Sequence, residues 1–65
     1  MRISITYVKI YSDIYAVYRN GINVGVVRKL EYGWQFRTTG IPVYTSPICD
    51  TKLQAVLEWP DLEKL

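Results

Sequence analysis

The chain has 65 residues, of which 49% are hydrophobic and nine are aromatic (six Tyr, two Trp, one Phe), and its formal net charge is +2. That length fits one compact domain over 1–65, near the lower limit of what folds without disulfides, metal or oligomerisation, and the apolar content excludes intrinsic disorder. Cys49 is the only cysteine, which excludes an intrachain disulfide, and no apolar run reaches the roughly 18 residues of a spanning helix; with no secretory leader in the first thirty residues, the expectation is a cytoplasmic protein without membrane contact.

In chain order, Arg2 to Ile10 alternates in part, with Ile3, Ile5 and Tyr7 on one side and Arg2, Ser4 and Thr6 on the other, which predicts a first strand. Tyr11-Ser12-Asp13 carries the small polar residues of a turn. The strongest local signal follows. Asn20-Gly21 separates two β-branched and aromatic runs, Ile14–Arg19 and Ile22–Val27, and predicts a type I′ hairpin, because Asn and Gly tolerate the positive φ that this turn requires. Setting Arg19 opposite Ile22 pairs Tyr18 with Asn23, Val17 with Val24, Ala16 with Gly25, Tyr15 with Val26 and Asp13 with Arg28, the last being opposite charges across the ladder. The third strand continues to Leu30, and Glu31-Tyr32-Gly33 reads as a three-residue loop that sets Leu30 against Trp34 and Arg28 against Phe36.

Alternation then sorts the side chains. One face collects Tyr15, Val17, Ile22, Val24, Val26, Leu30, Trp34 and Phe36, with Asp13, Arg19 and Arg28 at its margins, and this is the expected core face. The other collects Ile14, Ala16, Tyr18, Asn23, Gly25, Val27, Lys29, Gln35 and Arg37. In the alternative arrangement the paired small residues Ala16 and Gly25 seat the helix, and the faces exchange. Residues 38–44 read as a connector, where Pro42 limits any strand to a short or edge one. Ser46-Pro47 reads as an N-cap and first helical residue, with Asp50 in the first turn and Cys49, Leu53, Val56 and Leu57 as the buried stripe. Pro60 stops this helix near Trp59, leaving 61–65 as a further helical turn or a frayed tail. The expected fold is α+β: three or four antiparallel strands with one C-terminal helix packed on one face.

The chain contains no His, so the usual general base, the commonest metal ligand and the Ser-His and Cys-His pairs are all missing. No catalytic residue, metal site or cofactor is expected, and the protein reads as a non-enzyme. Cys49 fits a buried, inert thiol better than a nucleophile. Two binding surfaces remain. Exposed aromatic and apolar area marks interaction sites, and Tyr7, Tyr11, Tyr32 and Tyr44 cannot all fit inside so small a core. This points to a protein interface anchored by Tyr18, Arg19, Arg28, Tyr32, Arg37 and Tyr44, or to a homodimer contact through the outer face. The alternative is a double-stranded DNA reader on that face, with Lys29 and Arg37 on phosphates and Asn23 or Gln35 at base edges. Residues 1–46 sum to +4 and residues 47–65 to −2, a basic sheet and an acidic helix that suit nucleic acid, although scattered cations are also what any solvated sheet carries.

In its strand-strand-strand-helix order over Ile14 to Trp59, the chain resembles the arm-binding DNA-binding modules of phage and transposon tyrosine recombinases. The run Gly33-Trp34-Gln35-Phe36, the following Pro47 and the Leu53-bearing helix are also similar to small accessory proteins of lambda-like phages. In size the chain is similar to phage products that block host machinery, including anti-restriction and anti-CRISPR inhibitors. That resemblance implies a non-enzymatic accessory protein, monomeric or homodimeric, whose partner is a host protein or nucleoprotein complex, with nucleic acid as the alternative partner.

Overall fold

In a computed structural model, which describes residues 3–64, Asn20 and Gly21 take positive φ values of 50° and 85° and close the hairpin expected there. They join β2 (Ile14–Arg19) to β3 (Ile22–Leu30), while β1 (Ile5–Tyr11) precedes and β4 (Gly33–Thr38) follows. The four strands form one antiparallel sheet in the order β1-β2-β3-β4. One short helix, α1 (Lys52–Leu57), packs on one face, so the fold is α+β.

Two one-residue differences separate this register from the expected one. Opposite Val17 and Tyr18, β3 bulges at Val24, so Val17 meets Gly25, Ala16 meets Val26, Tyr15 meets Val27, and Arg28 lies across from Ile14 rather than Asp13. An extra residue in one strand exchanges every later side chain between faces. Val27 is therefore fully buried under the helix and Val26 lies on the outer face, the reverse of the expectation. Among the described residues Asp13 and Arg28 make no ion pair. The second difference is the β3–β4 turn. It holds two residues, Glu31 and Tyr32, so Leu30 pairs with Gly33 and Lys29 with Trp34. Gly33, at φ 148°, opens β4 instead of sitting inside the loop, and a Cβ there would collide with the Cys49 carbonyl. The two shifts cancel across β4, leaving Trp34 and Phe36 on the same face as Tyr15 and Val17, as expected. Ala16 and Gly25 do not pair, and the helix seats on the Val17 and Val27 face.

The helix itself is shorter and later than its sequence signals suggest. Ser46 and Pro47 do not begin it: residues 44–49 run back along the free edge of β4, with bridges from Thr45 to Arg37 and from Cys49 to Trp34. Ser46 is buried here, its hydroxyl accepting from the Phe36 amide at 2.9 Å and donating to the Pro47 carbonyl at 2.8 Å. The cap is Thr51, whose side chain accepts from the Gln54 amide, and the buried helix residues are Ala55 and Val56. Leu53 and Leu57 are about half-exposed and Cys49 lies outside the helix, so the expected stripe survives only at Val56. Termination before Pro60 agrees with the sequence, and the segment beyond forms a 3-10 turn, Leu62–Lys64, that buries Leu62. Val17, Val24, Val27, Phe36, Ala55, Val56 and Leu62 make one core, to which each large apolar side chain contributes about 1.5–3 kcal/mol.

Candidate binding surfaces

The residues expected to form an interface divide among four places. Tyr18, Arg28 and Arg37 lie on the outer face, where Arg28 and Arg37 are exposed and border, with Ile14, Val26, Gln35 and Thr45, a concavity of about 180 Å³. Tyr32 stands 80% exposed at the β3–β4 turn. Tyr44 belongs to the segment along β4, and its hydroxyl donates to the Glu58 carbonyl at 3.0 Å, tying that segment to the helix end. Arg19 points to the helix side and is buried; its Nε donates to the Leu62 carbonyl at 2.8 Å, which fastens β2 to the 3-10 turn. It is a structural tie, because a guanidinium out of water needs such a partner.

The four residues of the DNA-reading arrangement do not share a face. Gln35 and Arg37 are on the outer face, but Lys29 pairs with Trp34 on the helix side, its Nζ 6.0 Å from the indole centroid. The Asn23 amide donates to the Val17 and Gly25 carbonyls at 3.1 and 3.2 Å, holding the backbone of the bulge. Gln35 donates to the Ser46 carbonyl at 3.1 Å. Both amides proposed for base edges are thus engaged with backbone.

Chemistry-bearing groups are few. Cys49 has both backbone groups paired with Trp34, and its thiol pKa is raised by burial, then by the Glu58 and Asp50 carboxylates, so the nucleophilic thiolate is disfavoured. Among the described residues no three His, Cys, Asp or Glu side chains are grouped to hold a metal ion. No helix among them is long and apolar enough to cross a membrane. Lys52, at the start of α1, extends over the sheet so that its Nζ lies 4.7 Å from the Trp34 ring, 4.9 Å from Tyr15 and 5.3 Å from Tyr7. Three π faces around one ammonium attract its charge and hold the helix start to the sheet.

A concavity lies where the sequence suggested only a connector. After Thr38 the chain turns through Gly40 and the cis Ile41-Pro42 bond and returns at Val43 and Tyr44. This loop, together with Ile22, Val24 and Trp59, borders an open groove of about 580 Å³. Ile41 is 97% exposed, Ile22 69% and Val43 48%, so the rim is apolar and uncovered. The legible signal was the run Ile41-Pro42-Val43, apolar side chains inside a loop with no strand or helix to bury them. No protein-family model, curated protein or solved structure matches this chain.

Proposed function

We infer that this is a non-enzymatic protein-binding module whose contact surface is the groove rimmed by Ile22, Ile41 and Val43. The observation that carries the reading is the exposure of three aliphatic side chains around one concavity on a 65-residue domain. Exposed aliphatic side chains gathered around one concavity mark an interaction site. Trp59 at the groove wall and Pro42 on the rim supply rigid surface, as buried anchors at protein interfaces do. The groove lining offers a single charged side chain, the acidic Asp61, and this favours a protein partner over a phosphate backbone. A host protein or nucleoprotein complex contacted in the cytoplasm is the partner class consistent with the small accessory proteins that the chain resembles.

Placing a photo-reactive residue at position 41 tests the reading. In host lysate it should give one dominant adduct, suppressed by excess wild-type protein but not by excess Val43→Asp protein. Equal suppression by both competitors removes the groove from the interface. A mobility shift of duplex DNA that weakens steeply with salt and is lost in Arg28→Glu/Arg37→Glu protein overturns the reading in favour of DNA binding on the outer face.

A further inference from the structure

Ser4 fixes which way the backbone of β1 faces. Its N–H donates to the Asn20 Oδ1 and its carbonyl accepts from the Asn20 N–H, both at 2.8 Å, so both groups point toward β2. Backbone groups alternate in direction along an antiparallel ladder, and Ile5, Tyr7 and Lys9 accordingly turn their N–H and C=O away from β2. The segment 44–49 closes the corresponding edge of β4, but among the described residues nothing pairs with the outer edge of β1. Natural edges are guarded by charge, proline or a bulge. β1 bulges only at Ile10, and its straight portion, Ile5–Lys9, contains no Pro and a single charge.

We propose that this edge pairs with the same edge of a second copy of the chain, antiparallel and centred on Tyr7, joining the two sheets into one. The inference stands apart from the groove reading, since it uses none of the groove residues. In this register Tyr7 faces its symmetry mate, Ile5 faces Lys9 of the other copy and Thr6 faces Val8, so the three outward residues of each strand form about six backbone hydrogen bonds. Centring the pair on Thr6 instead draws on Ile3, which precedes β1; centring it on Val8 runs into the bulge and brings the two Lys9 residues within about 7 Å along the ladder.

Charge chooses the same register. Lys9 and Ile5 lie on the helix side, because they pair with Tyr15 and Arg19. Beside Ile5, with Leu53 and Leu57, is an open apolar cleft of about 380 Å³ that Glu63 also lines. Opposite Ile5, the Lys9 stem of the second copy covers this cleft and its ammonium reaches the Glu63 side. Among the described residues neither Lys9 nor Glu63 has an ion-pair partner within its own chain. The two-fold axis makes the contact twice. A pairing of five residues with two such contacts buries less than the roughly 800 Å² per partner of a standard stable interface, so the dimer is of the weak, concentration-dependent class.

Sedimentation equilibrium at low salt tests this. The wild-type mass should rise from the 7.6 kDa of one chain toward twice that value as concentration increases from micromolar to near-millimolar. Lys9→Glu and Glu63→Lys should each weaken association about tenfold or more, and the double variant should restore it. Both positions are exposed, so folding is preserved, which circular dichroism checks. In a Cys49→Ser background, mixed Thr6→Cys and Val8→Cys chains should form a disulfide dimer on oxidation, whereas either alone should not. A chain that stays at 7.6 kDa throughout overturns the proposal, as does a dimer that ignores both charge reversals or a charge-swapped double variant that stays monomeric.

Discussion

Along β4 the chain returns on itself: Cys49 and Trp34 exchange both backbone hydrogen bonds, at 2.7 and 2.8 Å, and Ser46 donates to the Phe36 carbonyl, so that edge is sealed and Phe36 beneath it is fully buried. Along β1 no such segment runs among the described residues, and none of the seven residues of that strand is buried outright. The difference shows how a domain of this size spends its limited chain. Tertiary contacts concentrate where a second layer and a covered edge coincide, and among the described residues the remaining edge is left with unpaired backbone, which is the part of a sheet most ready to join another chain.

Mutations on the two sides should separate this asymmetry. Phe36→Ala should cost about 3–5 kcal/mol and abolish the cooperative thermal transition of a domain with only marginal stability, whereas Val8→Ala on half-exposed β1 should stay within about 0.5 kcal/mol, both read by urea denaturation. Ser46→Ala should cost about 1–3 kcal/mol, since it strands the buried Phe36 amide that the hydroxyl satisfies, and hydrogen exchange at that amide should rise. Tyr7→Phe should act in the opposite direction. Among the described residues the buried Tyr7 hydroxyl has no hydrogen-bond partner, so removing it should stabilise the fold by about 1 kcal/mol while leaving the ring beneath Lys52.

The same substitution has a pH signature. Burial raises the Tyr7 pKa above the usual tyrosine value, so the unfolded phenol loses its proton first. The contribution is fully present below about pH 10 and is lost as pH rises from there through the folded-state value. Tyr44 is raised as well, by burial and then by Glu58 and Cys49, so Tyr7→Phe should flatten the alkaline decline in stability without removing it.

How much was legible varied with the range of the interaction. Asn20-Gly21 announced its turn because the required φ is a property of those two residues, and Pro60 announced the helix end for the same local reason. Ser46-Pro47 misled: its capping chemistry is real, but the β4 edge recruits that hydroxyl for the Phe36 amide and the helix begins at Thr51 instead. Arg19 looked like a surface anchor because nothing near it in sequence discloses that the Leu62 carbonyl, 43 residues away, receives its Nε. Asn23 looked free to read bases, and the bulge it supports is visible only once β2 and β3 are paired.

By itself, therefore, the order of residues determined the antiparallel sheet, the central hairpin, the C-terminal position of the helix and the grouping of Val17, Trp34 and Phe36 on one face. Each depends on conformational preferences within a few residues or on alternation along a single strand. The tertiary structure decided the bulge at Val24, the burial of Val27 over Val26, the covering of β4 by 44–49, and the groove under Ile41 and Val43. A one-residue register shift costs the isolated strand almost nothing, and only packing against the rest of the chain distinguishes one register from the next.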